Sequence, residues 1–170
     1  MDTRETVARE PERTLAAPGP ESRSRRSRQR WHRALAHTAD VGFRAVAPDA
    51  AGLFEEAAAA LAELGADVRT PRHLEPQPVE VSAEDLPELM FRWLNELIGL
   101  AEIRGEALVR ADASSVEAVG ADWVVRGQGW FAPFEGTEVR PRLQVKAATL
   151  HRLRVLRAAE GWLAEAYFDI

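Results

Sequence analysis

Two segments of the chain carry apolar residues at the spacing of an amphipathic helix. In residues 50–64 one stripe is apolar, formed by Leu53, Ala57, Leu61 and Leu64. A longer helix is predicted after Asp85, where apolar residues recur at intervals of three and four: Leu86, Leu89, Met90, Trp93, Leu94, Leu97, Ile98 and Ala101. Asp49 and Asp85 have the side chains that cap helix N-termini, and Gly65 and Gly105 are predicted helix ends.

Much of the remaining chain alternates between apolar and polar residues, which is typical of half-buried strands. The predicted strands are 31–36, 41–47, 78–83, 107–111, 114–119, 122–129, 138–150, 152–157 and 162–169. The stretch 66–77 is predicted to be a loop because prolines interrupt it. Two helices packed on a largely antiparallel or mixed β-sheet form an α+β domain, which is the predicted fold class.

The first 30 residues differ in composition from the rest. They contain eight arginines against five acidic residues, and residues 21–30 have no apolar side chain to bury. We therefore predict a disordered Arg/Ser-rich tail over 1–30 and a single domain over 31–170. The domain has a net charge of −8, which disfavours DNA as a partner and suits a partner protein or a cation better. Without a membrane-length apolar stretch or a signal peptide, a cytoplasmic protein with no membrane partner is expected.

The stretch HTADVG, residues 37–42, places His37, Thr38 and Asp40 at the start of an apolar strand. Strand alternation puts Asp40 and Arg44 on the same face. Asp40 then either pairs with Arg44 or caps the turn, or it is a cation ligand with His37 or Thr38 beside it. The residues alone leave these alternatives open.

The last ten residues, GWLAEAYFDI, raise a related question about Asp169. Period-two alternation places Asp169 on the face opposite Phe168 and Ile170. If Ile170 is packed, its α-carboxylate lies close to Asp169, and two carboxylates so close resist joint ionisation unless a cation neutralises them. An exposed aspartate on an edge strand is the alternative. Lys146, the only lysine beside 21 arginines, is by itself typical of a solvated strand position.

Four motifs taken together resemble the archease family. They are HTADVG at 37–42, WLNEL at 93–97, VKAATLH at 145–151 and FDI at 168–170. The motifs stand in the family's order and at about its spacing, and the resemblance covers residues 31–170. It implies a small α+β protein that is not itself an enzyme. Such a protein acts as a chaperone-like cofactor of an RtcB-type RNA ligase, in tRNA splicing or RNA repair.

The resemblance also implies what this cofactor does and what it binds. It is expected to promote guanylylation and multiple turnover of the ligase, so that its link to RNA and GTP runs through the ligase. A divalent cation is expected, most often Ca²⁺, with Mg²⁺ or Mn²⁺ as alternatives. The ligands carried over from the family are Asp40, Asp169 and Ile170, the last through its main chain. Neighbours of the ion or contacts of the partner are expected at His37, Thr38, Lys146 and Glu96.

This chain departs from the family pattern at two places. Leu150 stands where the family usually has tyrosine, and GQGWFAPFEG at 127–136 replaces the usual charged turn. Two other functions also stay open. One is a metal-dependent hydrolase or nuclease that uses the same carboxylates with His37 as the base. The other is an RNA-binding module that acts through the Arg-rich tail.

Overall fold

The structure is a computed structural model that describes residues 30–36, 41–69, 74–134, 138–159 and 161–170. Within these ranges the helices are α1 (Ala50–Gly65) and α2 (Leu86–Arg104). The strands are β1 (Trp31–Ala36), β2 (Val41–Ala47), β3 (Ala66–Val68), β4 (Gln77–Ala83), β5 (Glu106–Val119), β6 (Asp122–Pro133), β7 (Val139–Pro141), β8 (Ala147–Ala158) and β9 (Gly161–Asp169).

The strands form three antiparallel sheets. The largest has the order β1-β2-β9-β8, the second has the order β4-β6-β5, and β3 and β7 form a short pair. Each pairing is antiparallel. The predicted α+β class, with two helices on a largely antiparallel sheet, is therefore confirmed.

Both helices begin directly after the aspartates that were predicted to cap them. Asp49 Oδ1 accepts a hydrogen bond from Gly52 N at 2.8 Å, and Asp85 Oδ1 accepts one from Glu88 N at 2.7 Å. These bonds satisfy N–H groups that the first turn of a helix leaves without an internal partner. At the other end of α2, Gly105 adopts φ 64°, a left-handed conformation that suits glycine.

The helices join the two larger sheets in one hydrophobic core. Helix α1 contacts β2 and β5, while α2 contacts β8 and β4. Trp93 of α2 is fully buried, and its indole Nε1 donates to the Phe54 carbonyl oxygen of α1 at 3.2 Å. The aromatic rings of Trp93 and Phe54 meet edge to face with their centroids 6.3 Å apart, a favourable arrangement for aromatic pairs.

The prediction of one continuous strand over 138–150 was wrong, because the chain leaves the sheets between β7 and β8. Arg142 N donates to Gly65 O at 2.9 Å, and Leu143 N donates to Leu64 O at 3.1 Å. These carbonyl groups belong to the last turn of α1, where no intrahelical donor is available. The segment 142–146 therefore satisfies the end of a helix instead of pairing with a strand.

Two other predicted boundaries were also wrong. The predicted loop 66–77 contains β3, which pairs with β7 from Ala66 opposite Pro141 to Val68 opposite Val139. The predicted strands 107–111 and 114–119 are one strand, β5, whose register shifts twice as it pairs with β6. Such shifts bend a strand without ending it.

Neither described helix is long and apolar enough to cross a membrane.

Candidate functional site

The predicted site residues fall into two groups. His37, Thr38 and Asp40 lie outside the described residues, so the predictions for them stay predictions. The structure does describe Lys146, Asp169, Ile170 and Glu96, and it brings the first three of these together.

Lys146 contacts both of the last two residues at one end of the four-stranded sheet. Its main-chain N donates to Asp169 O at 2.8 Å, and its side-chain Nζ donates to the main-chain oxygen of Ile170 at 3.1 Å. The next residue, Ala147, opens β8 and pairs with Asp169. An ammonium group is thus fixed beside the end of β9.

The side chains at the end of β9 are open to solvent. Ile170 is 48% exposed, so the packed position considered for it is not observed. Asp169 is exposed as well, and its carboxylate makes no hydrogen bond or ion pair with another described residue. No described residue occupies this carboxylate, so it can bind a ligand.

Asn95 holds the strand that follows Lys146, a role that the sequence did not predict. Its Nδ2 donates to Ala148 O at 3.2 Å, and its Oδ1 accepts from Ala148 N at 3.0 Å. Because β8 is the last strand of its sheet, these main-chain groups have no neighbouring strand to pair with. The amide of Asn95 replaces that strand and ties α2 to β8. The adjacent Glu96, predicted as a contact residue, is exposed and bonds to no described residue.

Lys146 also lines a cavity of about 470 Å³. Its wall is largely apolar and includes Leu61, Leu97, Ile98, Leu108, Phe134 and Val145. Glu102 and Glu106 are the acidic residues of this wall. Lys146 is therefore shared between the cavity and the end of β9.

A second charged group lies on the same sheet, four residues before Asp169. Glu165 is only 3% exposed and binds two arginines, with Arg44 Nε at 2.5 Å and Arg154 Nε at 3.1 Å. Burial opposes ionisation of Glu165, but the guanidinium groups of Arg154 and Arg44 hold its pKa below the usual value. Arg44, considered as a partner for Asp40, is thus bonded to Glu165.

The described residues at the end of β9 offer two oxygen donors for a cation, the Asp169 carboxylate and the Ile170 main-chain oxygen. Hard oxygen donors of this kind fit Ca²⁺ or Mg²⁺. No group of three or more His, Cys, Asp or Glu residues suited to a metal occurs within the described ranges. A complete cation site therefore needs further oxygen donors beyond these two. The Lys146 ammonium already lies beside the Ile170 main-chain oxygen.

These features define an α+β domain of two helices and antiparallel sheets, with a polar cluster at the end of one sheet. Comparison with known proteins identifies the family. The Archease protein family (MTH1598/TM1083) matches residues 32–170. The chain is 32% identical over 136 residues to the archease of Pyrococcus furiosus, covering 79% of this chain and 94% of that protein. It is also 32% identical over 141 residues to the archease of Archaeoglobus fulgidus, covering 82% and 98%. The chain belongs to the archease family.

Two solved structures share the fold. The solution structure of protein 1598 from Methanobacterium thermoautotrophicum has a TM-score of 0.69 and 27% sequence identity, covering 82% of this chain and 98% of that one. The crystal structure of an archease from Thermotoga maritima, described as a possible chaperone, has a TM-score of 0.50 and 25% identity, covering 80% and 94%.

Proposed function

We propose that this protein is a metal-binding accessory protein that activates an RtcB-type RNA ligase. In this proposal it promotes guanylylation of the ligase and so supports repeated turnover in tRNA splicing or RNA repair. Membership of the archease family supports an archease-type role. The description of the Thermotoga maritima relative as a possible chaperone fits a protein that acts on another protein.

The observation that carries the metal part of the proposal is the register between β2 and β9. Val41 pairs with Phe168, so the residues next in sequence to Asp40 and Asp169 are partners in the sheet. The proposal makes Asp40 and Asp169 neighbours, and two carboxylates held close together favour a shared cation.

In this proposal the ion is held by Asp40, Asp169 and the main chain of Ile170. Calcium takes about six to eight oxygen ligands, so the remaining positions are filled by water or by groups of the partner. The bound ion supplies positive charge that can attract a phosphate. Lys146, a compact point charge beside the same oxygens, orients an anionic group there, and His37 and Thr38 support the Asp40 segment.

The test combines the purified protein with the RtcB-type ligase of the same organism and radioactive GTP. We expect substoichiometric amounts of the protein to raise the yield of guanylylated ligase, and Asp40→Ala to remove this effect. Asp122→Ala, a change of an exposed aspartate at the start of β6, is the matched control and should leave the effect intact. Full stimulation by Asp40→Ala would contradict the proposal.

Metal binding needs a readout that does not depend on the ligase. Calorimetric titration of the protein alone with Ca²⁺ should show binding that is lost in Asp40→Ala and kept in Asp122→Ala. No observation on the described residues favours the hydrolase or the tail-driven RNA-binding function. Metal-dependent cleavage of RNA by the isolated protein would favour the hydrolase instead.

A further inference from the structure

The four-stranded sheet has one face that no described helix covers, which we call the outer face. Cross-strand partners lie on the same side of a sheet, so the register identifies which residues share this face. The inner face packs into the core, where Phe43, Ala45 and Ala164 are fully buried. Helix α1 approaches from that inner side, where Glu56 bonds to His32 of β1.

An apolar row crosses the outer face from edge to edge. Trp31, Val46, Leu163 and Leu156 are successive partners on β1, β2, β9 and β8. Trp31 is 44% exposed and Leu156 is 49% exposed, while the two central residues are half-buried. Contiguous exposed apolar residues of this kind, with polar residues beside them, mark interaction surfaces in soluble domains.

A positively charged row runs beside the apolar one. It consists of Arg33, Arg44, Glu165 and Arg154, again as successive partners on the four strands. Arg33 lies directly opposite Arg44, an unfavourable pairing of like charges. Arg44 and Arg154 both bind Glu165, whereas Arg33 is exposed and bonds to no other described residue. The row keeps an excess of positive charge in a chain whose net charge is −5.

The outer face is continuous with the candidate site. Beyond the charged row lies the row of Leu35, Gly42, Tyr167 and Thr149, and the next residue on β9 with the same orientation is Asp169. A protein that engages the end of β9 can therefore extend over the outer face without crossing another element of the described fold.

We propose that the outer face docks an acidic segment of the partner protein, with apolar side chains on the Trp31–Leu156 row and a carboxylate at Arg33. This inference rests on the proposed function, in which that partner is the RNA ligase. Single-stranded RNA fits this face less well, because it needs aromatic side chains for stacking and cationic groups that are free to bind phosphate. Three of the four apolar side chains are aliphatic, and Glu165 already binds two of the three arginines. A second copy of this chain would bring its own positive row against this one.

The test measures dissociation constants for the full chain and its ligase by biolayer interferometry. We expect Arg33→Glu and Leu156→Ser each to weaken binding by about tenfold or more, since both side chains lie at the proposed contact. The matched controls lie outside the outer face: Arg140→Glu on β7, and Ile103→Ser on α2, where Ile103 is 85% exposed. Both controls should bind as the unchanged chain does.

The other outcomes separate the docking proposal from its alternatives and from the proposed function. Unchanged ligase affinity in both outer-face variants contradicts it, even when Asp40→Ala abolishes stimulation as the proposed function requires. Loss of single-stranded RNA affinity in Arg33→Glu with ligase affinity intact assigns the face to RNA. A dimer that Leu156→Ser dissociates assigns it to a second copy. If the unchanged chain binds the ligase without stimulating it, the proposed function fails while docking stands, and absence of binding overturns both.

Discussion

Two carboxylates of β9, Glu165 and Asp169, lie on the same face of one strand but in opposite environments. Glu165 is 3% exposed and binds Arg44 and Arg154. Asp169 is exposed, and its carboxylate bonds to no other described residue. Lys146 lies at the same end of β9, where its Nζ donates to the main-chain oxygen of Ile170.

This difference separates a carboxylate that stabilises the fold from one that is available for binding. A buried, doubly paired carboxylate is costly to remove because its partners lose their counter-charge. An exposed carboxylate at a strand end contributes little to the free energy of unfolding, since water solvates it equally well in the unfolded chain. We therefore expect substitutions at the two positions to affect different properties of the protein.

The largest effect on stability is expected from Glu165→Ala. The change leaves Arg44 and Arg154 side by side without a counter-charge, and we expect a loss of about 3 kcal/mol in the free energy of unfolding. Urea denaturation followed by circular dichroism measures this loss. As a control, Glu80→Ala removes one partner of an exposed pair with Arg126 and should cost less than about 1 kcal/mol. Equal losses in Glu165→Ala and Glu80→Ala would show that the buried carboxylate stabilises the fold no more than the exposed one.

Asn95→Ala should have the next largest effect. The change leaves the main-chain N–H and C=O of Ala148 without their protein partner, which should cost about 2 kcal/mol. Because β8 begins next to Lys146, hydrogen exchange of the Ala148 amide should also accelerate relative to the unchanged protein. The neighbouring Glu96→Ala is the control and should alter neither property. Unchanged exchange at Ala148 would contradict the role assigned to Asn95.

A smaller effect is expected from His32, which links β1 to α1. Its Nδ1 lies 2.9 Å from Glu56 Oε2, and its Nε2 lies 3.1 Å from Glu63 Oε2. The hydrogen bond to Glu56 raises the pKa of His32, and burial only partly opposes this rise. Since the folded pKa lies above the unfolded one, the stabilisation is complete below the unfolded pKa and disappears as the pH rises through the folded pKa.

The corresponding measurement compares free energies of unfolding between pH 6 and pH 9. We expect the unchanged protein to lose stability over this interval through His32, and His32→Gln to lack that component. His151→Gln, at an exposed position of β8, should keep the dependence of the unchanged protein. The same pH dependence in His32→Gln would rule out the proposed link.

The parts of the fold that could be predicted are those determined by residues close together in sequence. The bounds of β1 and β2 and both helix caps follow from alternation and capping side chains, which act within a few residues. The break at 142–146 does not, because its donors meet the carbonyl oxygens of Leu64 and Gly65 at the end of a helix far away in sequence. Alternation alone cannot reveal such a partner.

The candidate site was predictable only in part. Alternation placed Asp169 opposite the buried Phe168, as observed, but it put Lys146 inside a strand and gave no reason for its contact with Ile170. Asn95 was missed, since a single polar residue between buried helix positions does not disclose what it bonds to. The assignment of Asp40 came from the family resemblance, and because Asp40 lies outside the described residues, it stays a prediction.

The most direct test of the account replaces Asp169 by asparagine and measures two quantities in the same preparation. The main-chain bond between Lys146 N and Asp169 O is kept in Asp169→Asn, so the free energy of unfolding should change by less than about 0.5 kcal/mol. Stimulation of ligase guanylylation should fall by about tenfold or more, because a proposed metal ligand loses its charge. Full stimulation by this stable variant would contradict the claim that the open carboxylate of β9 is the functional one.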